Sequence, residues 1–158
     1  NHHFLINEVS KLREYDFVVK IVGSGILDDS LKKQVSELKL DHKIEFLGSR
    51  DDVPLLLSQS DCLLLPSLWE AFPIVLLEAA ASNIPVVTTP VGSITSFVDN
   101  ECGYVIKLES FRSAMIEVMD NPEDAKIKSN KLHKKIASHY HITNIVKQYE
   151  SVYHKIIK

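Results

Sequence analysis

Short apolar runs of strand length alternate with helical patterns along this sequence, and that alternation constrains the fold more than any single motif. Residues 17–23 read Phe-Val-Val-Lys-Ile-Val-Gly, a β-branched run closed by glycine. Residues 28–40 then place Leu31, Val35 and Leu38 at helical spacing, with Asp28 or Asp29 as the expected cap. A second strand is expected over 43–47, ended by Gly48, and a short helix over 51–59 with Pro54 in its first turn and Asp51 or Asp52 as cap. Residues 62–65 are continuously apolar, the mark of a strand buried on both faces of a parallel sheet. A helix over 73–82, a strand over 85–88, a short helix over 93–98 and a strand over 103–106 follow. Three more helices are expected over 111–119, 122–139 and 143–157, and another over 4–13 opens the sequence. Strands joined by helices need crossover connections, which are right-handed. The expected class is therefore α/β, a doubly wound, mostly parallel sheet with helices on both faces. Such units normally open on a strand, and this one opens on a helix. The expectation is that residues 1–158 form one domain that lacks its first strand and belongs to a longer protein.

Composition narrows the classes. At 158 residues, 45% hydrophobic and 25% charged, the chain suits one globular domain and excludes disorder, collagen and coiled coil. No apolar run approaches the ~20 residues of a membrane span, and nothing at the start reads as a secretory leader. Cys62 and Cys102 are the only cysteines, which points to a reducing, cytoplasmic setting and against a disulfide or zinc framework. Net charge is −3, but unevenly spread. Residues 1–125 hold ten Lys and Arg against twenty Asp and Glu, a balance of −10; residues 126–158 hold eight Lys against Glu150 alone, a balance of +7. The plain reading is a solvated helix face that neutralises an acidic body. The sharper one is a surface for an anionic partner such as a membrane. Nucleic acid is not expected, since the body is acidic and no binding motif is present.

In sheets of this class ligands bind at the carboxyl ends of the strands. The first loop there is Gly23-Ser-Gly25, which lacks the third glycine of a dinucleotide fingerprint and is equally a tight turn. The second is richer: Pro66-Ser-Leu-Trp-Glu70-Ala-Phe-Pro73-Ile-Val-Leu-Leu-Glu78 leads from a strand into a helix whose first amides and dipole suit a phosphate. Glu70 precedes those amides and Glu78 lies about a turn and a half beyond them. A carboxylate accepts two hydroxyl donors, so two of them around an anion site suit a nucleotide sugar. Either acid alone reads as a solvated side chain, yet Glu78 is the only charge in a long apolar stretch. Ser24, Ser67 and the seven His form no evident nucleophile–base pair, and no cluster has metal-ligand spacing, so no metal is expected.

These residues carry a resemblance. Glu70 and Glu78 within Leu65-Pro-Ser-Leu-Trp-Glu-Ala-Phe-Pro-Ile-Val-Leu-Leu-Glu-Ala resemble the signature of the retaining glycosyltransferases called group 1, or family 4. Further blocks fit in order: Ile21-Val-Gly-Ser-Gly25, Phe46-Leu-Gly-Ser-Arg-Asp-Asp-Val-Pro54, Ser60-Asp61, Ile84-Pro-Val-Val87, Pro90-Val-Gly92 and Cys102-Gly103-Tyr104. The resemblance covers residues 4–106. It implies a GT-B enzyme, two Rossmann-like domains with the active site between them, of which this chain is the C-terminal, donor-binding half.

It further implies that Glu78 holds the ribose, that Glu70 is catalytic and meets the donor sugar, and that Ala71, Phe72, Pro73 and Ile74 present the diphosphate site. Gly23 and Gly25 would line the cleft, with Leu47 and Gly48 beside the base. The donor would be a UDP- or GDP-sugar, bound without a metal. Transfer would be to a glycan or lipid-linked acceptor in polysaccharide biosynthesis. The implied partners are an N-terminal acceptor domain and, for the full-length protein, peripheral contact with the cytoplasmic face of a membrane.

The sequence departs from the family pattern at Ala71, where Gly is usual, and over residues 92–96, where a Gly-Gly pair and a Glu are usual. The family's Arg and Lys on the strand before the opening helix have no counterpart; Arg50 reads as solvated or capping. Alone, this chain is expected to be inactive. A nucleotide-sugar epimerase of the same architecture and a non-catalytic nucleotide-sugar module are the other readings.

Overall fold

All five expected strands are present in the computed structural model, which describes residues 1–157, and each is followed by helical structure. In chain order these are α1 (His2–Val9), β1 (Val19–Val22), α2 (Asp28–Glu37), β2 (Ile44–Gly48), α3 (Val53–Ser58), β3 (Leu63–Leu65) and α4 (Ile74–Ala81). Then come β4 (Val86–Thr88), α5 (Ile94–Phe97), β5 (Tyr104–Val105), a 3₁₀ turn (Leu108–Ser110), α6 (Phe111–Asp120), α7 (Pro122–His139) and α8 (Ile142–Ile156).

All pairings are parallel, as crossover helices dictate: Ile21 faces Phe46 between β1 and β2, Leu64 faces Val87 between β3 and β4, and Val87 faces Tyr104 between β4 and β5. The expected single sheet is divided. β1 and β2 form one sheet of two strands and β3, β4 and β5 another of three, with no pairing between β1 and β3. Each of those two strands thus pairs on one side only. This explains a second correction, that the continuously apolar β3 is half-buried throughout instead of buried on both faces. A strand at a sheet edge keeps part of its surface open.

Helices nevertheless cover both faces, and β4 shows it within two residues. Successive strand side chains point to opposite faces, and the fully buried Val86 and Val87 enter different clusters. Val87 joins Leu5, Ile6 and Val9 of α1, Ile21, Ile44, and Phe111 and Met115 of α6. Val86 joins Leu76, Ala79 and Ala80 of α4, Ile94 and Phe97 of α5, and Leu132 and Ile136 of α7. The fold is a doubly wound α/β fold.

Local caps differ from expectation because their side chains are used elsewhere. Leu27, not an aspartate, occupies the N-cap of α2, while Asp28 Oδ1 accepts the Gly25 N–H at 3.0 Å. Asp52 stands at the N-cap of α3 without capping it, since Arg50 holds its carboxylate through Nε at 2.8 Å and Nη2 at 2.6 Å. That ion pair raises the Arg50 pKa and lowers that of Asp52, the hydrogen bond being the main cause in both.

The basic C-terminal stretch divides in two. On α7 the lysines tie back to the acidic body: Lys126 and Lys128 donate to the carbonyls of Asn83 and Asn100 at 3.0 and 2.6 Å, and Lys135 pairs with Asp99 at 2.8 Å. On α8 the apolar stripe is present, but Val146, Tyr149, Val152, Tyr153 and Ile156 are all exposed and no residue of the helix is buried. The stripe does not pack onto the body of its own domain.

Candidate functional site

β3 ends at Leu65 and the chain then turns through buried Pro66 and half-buried Ser67 toward α4. The Ser67 hydroxyl donates to Glu70 Oε1 at 2.7 Å. The carboxylate is therefore fixed by the loop that carries it, and one oxygen is spent on the protein while the other remains an acceptor. Around it, Leu68, Trp69, Phe72 and Ile74 are exposed, an unusual density of bare apolar surface beside an acid.

Pro73 stands at the N-cap of α4 in an extended conformation (φ −75°, ψ 102°), and no side chain caps the helix. Pro73 contributes no N–H of its own, and the ring presets the helix entry. Glu78 is the fifth residue of α4, half-buried between Leu76, Ala79 and Ala80, which are fully buried. The acidic partners of the ion pairs among the described residues are Glu8, Glu37, Asp52 and Asp99, so Glu78 pairs with no cation.

The glycines form a second group. Gly23, at the carboxyl end of β1, has φ +120° and donates its N–H to the Gly48 carbonyl, at the end of β2, at 2.7 Å. Its conformation requires glycine, and a side chain there would meet open space. Gly25 differs from Gly23: its φ is not positive, and nothing in the protein crowds it. Leu47, half-buried on β2, stands next to Gly48. Ala71 has a negative φ, so its methyl in place of the family's usual Gly is accommodated without strain.

The loops after β3, β4 and β5 meet in one open pocket of about 250 Å³ that holds Ser67, Leu68, Thr89, Val91, Lys107 and Glu109 among its lining. Hydrogen bonds join Gly23 to Gly48 and Ser67 to Glu70, but none joins the glycine group to the carboxylates. Sequence reasoning missed Ser67 as the support of Glu70. The signal was present, a hydroxyl three residues before the acid, the spacing that also makes a capping box.

The thiols are not poised as nucleophiles. Burial pushes Cys62 up to about 12 and raises Cys102 as well. Among the described residues no group of three His, Cys, Asp or Glu could hold a metal ion, and no helix is long and apolar enough to cross a membrane.

Residues 1–139 match the family described as glycosyl transferases group 1. The UDP-Gal:alpha-D-GlcNAc-diphosphoundecaprenol alpha-1,3-galactosyltransferase of Escherichia coli is 33% identical over 143 residues, covering 87% of this chain and 37% of its own length. The N-acetyl-alpha-D-glucosaminyl L-malate synthase of Bacillus anthracis is 28% identical over 149 residues, covering 92% of this chain and 39% of its own. The chain thus spans less than two fifths of the length of these curated relatives. Among solved structures, HepE of Anabaena in complex with UDP and glucose superposes with a TM-score of 0.89 at 19% identity, over 97% of this chain and 44% of its own. A glycosyltransferase of Rickettsia africae reaches 0.93 at 22% identity, over 99% and 44%. These likenesses establish a Rossmann-like fold of the kind found in GT-B glycosyltransferases.

Proposed function

The chain belongs to the group 1 glycosyl transferases, and from that premise we propose that residues 1–158 are the donor-binding domain of a glycosyltransferase. It binds a UDP- or GDP-sugar for retaining transfer to a glycan or lipid-linked acceptor in polysaccharide biosynthesis. The observation that carries the reading is the Glu70 loop. A carboxylate fixed by Ser67 stands at the carboxyl end of a parallel strand and leads directly into an uncapped helix whose only acid, Glu78, is half-buried and free of any cation among the described residues. Glu70 is assigned to the hydroxyls of the donor sugar, Glu78 to the ribose, and Ala71, Phe72, Pro73 and Ile74 to the diphosphate at the positive end of α4. Gly23, Gly25, Leu47 and Gly48 are assigned to the cleft wall and the base. No metal is assigned to the site.

The likeness to an enzyme whose name specifies a UDP-Gal donor and a lipid-diphosphate acceptor supports this substrate class. The short span of the match and the one-sided pairing of β1 and β3 support a domain that works with a further strand and an N-terminal acceptor domain. Peripheral contact with a membrane is the setting such an acceptor favours, on the cytoplasmic side. The test is calorimetry with UDP, UDP-glucose, UDP-galactose and GDP-mannose on the wild type and on Glu78→Gln. Binding of at least one that weakens in the variant supports the reading, and no binding of any overturns it. Binding with no turnover, even in the longest polypeptide supplied with acceptor, would favour a non-catalytic module.

A further inference from the structure

The turn after β4, residues 89–93, grips the Glu70 loop at four points. Thr89, 3% exposed, donates its hydroxyl to the Ser67 carbonyl at 2.6 Å. Ser93 donates twice to the Ala71 carbonyl, from Oγ at 2.5 Å and from the backbone N–H at 3.4 Å. Between them Gly92, with φ +56°, lies so close beneath Glu70 that a Cβ would fall 1.7 Å from the Glu70 carbonyl oxygen. Ser67, whose carbonyl Thr89 holds, is the residue whose hydroxyl holds the Glu70 carboxylate. Apart from this, Leu68, Trp69 and Ala71 are exposed.

We infer that residues 89–93 are a positioning clamp for Glu70: Thr89, Gly92 and Ser93 fix the loop from which Glu70 reaches the sugar. The inference rests on the donor-site reading for what Glu70 meets, and on hydrogen bonds and backbone contact for the clamp itself. The Phe72 ring, 5.3 Å from that of the fully buried Phe97, ties the far side of the loop to the apolar core, and the buried Thr89 hydroxyl sets the position of the side that carries Ser67. Preorganised geometry of this kind is what a sugar subsite needs, since small displacements of a positioned group cost binding and rate. The requirement for glycine at 92 follows from the contact with Glu70 and from φ together.

Thr89→Val keeps the shape and removes the hydroxyl; Thr89→Ser restores it. In the full chain, Thr89→Val is expected to speed hydrogen exchange at the Ser93 amide, which donates to the Ala71 carbonyl, by about tenfold while β4 and α4 keep their protection. It should also weaken UDP-glucose or UDP-galactose by about three- to tenfold, the size of one lost hydrogen bond, and UDP itself by less. Thr89→Ser should return both readouts to wild type, which a merely structural role for the methyl group would not produce. Gly92→Ala should show the same pattern more strongly; should it not fold, the Thr89 pair still decides. Wild-type exchange at the Ser93 amide in Thr89→Val overturns the clamp whatever the donor does. Faster exchange with Glu70→Gln binding both sugar donors as wild type supports the clamp and overturns the sugar role of Glu70.

Discussion

Glu78 and Glu70 are both carboxylates near the start of α4, yet their surroundings differ. Glu78 sits half-buried on a helix whose other seven residues are apolar, with neither cation nor cap to stabilise it. A desolvated acceptor of this kind is stabilised by ligand hydroxyls. Glu78→Gln keeps the volume and removes the charge, so affinity for the nucleotide should fall by about 1.5–3 kcal/mol, the range for a charge-assisted hydrogen bond. Calorimetry with UDP reads it directly, and unchanged affinity would remove Glu78 from the ribose. Glu70 lies one residue before Ala71, ahead of the helix start, and already accepts from Ser67. Glu70→Gln should therefore weaken a UDP-sugar more than UDP, and equal losses for the two would take Glu70 out of the sugar subsite. Asp99 makes a contrasting case of a structural acid. The hydrogen bond from Lys135 holds its carboxyl well below the ordinary range, at about 2. Because the folded value lies below the unfolded one, the stability it adds is present above about pH 4 and is lost as pH falls toward 2. With the Asp99 side chain 51% exposed, that contribution is under about 1 kcal/mol. The difference in unfolding free energy between wild type and Lys135→Met should shrink to nothing across that window.

At the scale of elements, α7 and α8 share composition but not role. Leu132 on α7 is fully buried, and Leu132→Ala should cost about 2–5 kcal/mol in chemical denaturation, since it leaves a cavity between α4 and α5. Tyr149 and Val152 on α8 are 61% and 51% exposed, so changing both to Glu should move stability by no more than about 0.5 kcal/mol each in this chain. The same pair made in a longer polypeptide that covers the stripe would be far more damaging, and that contrast tells whether α8 serves a second domain. The stripe was legible from spacing alone, because Val146, Tyr149, Val152, Tyr153 and Ile156 recur at helical intervals; what covers it was not, because periodicity reports a face and not its partner. The strands were legible for a similar reason: β-branched runs such as Val18-Val19 and Val86-Val87 have few alternatives to extended structure. The division of the sheet was not, since pairing depends on neighbours distant in sequence. Nor was the hold of Thr89 on Ser67 or of Ser93 on Ala71. Each spans 22 residues, and nothing in a hydroxyl residue declares which carbonyl it will meet. Asp52 takes the expected N-cap position, but neither it nor Asp28 caps through its side chain, because Arg50 and Gly25 hold those carboxylates.

On the donor-domain reading, the described residues bring little free positive charge to the Glu70 loop. Departure of a nucleoside diphosphate is helped by donors and cations fixed opposite it. Near the Glu70 loop this chain offers the start of α4 and Lys107 across the pocket, while Arg50 is engaged by Asp52. β1 and β3 each have one unpaired side, so a further strand would complete the sheet between the glycine loops and the Glu70 loop and would bring its own side chains to the same carboxyl-terminal edge. The expected outcome is that the 158-residue chain alone binds donor weakly, at roughly high-micromolar to millimolar dissociation constants, and releases no nucleoside diphosphate from UDP- or GDP-sugars in the presence of candidate acceptors. Activity that appears only when the chain is extended upstream, and disappears again in Glu70→Ala, would locate the absent cations in the extension. Turnover by residues 1–158 alone at the rate of the longer polypeptide would mean instead that the start of α4 and the groups of the pocket supply all the charge the reaction requires.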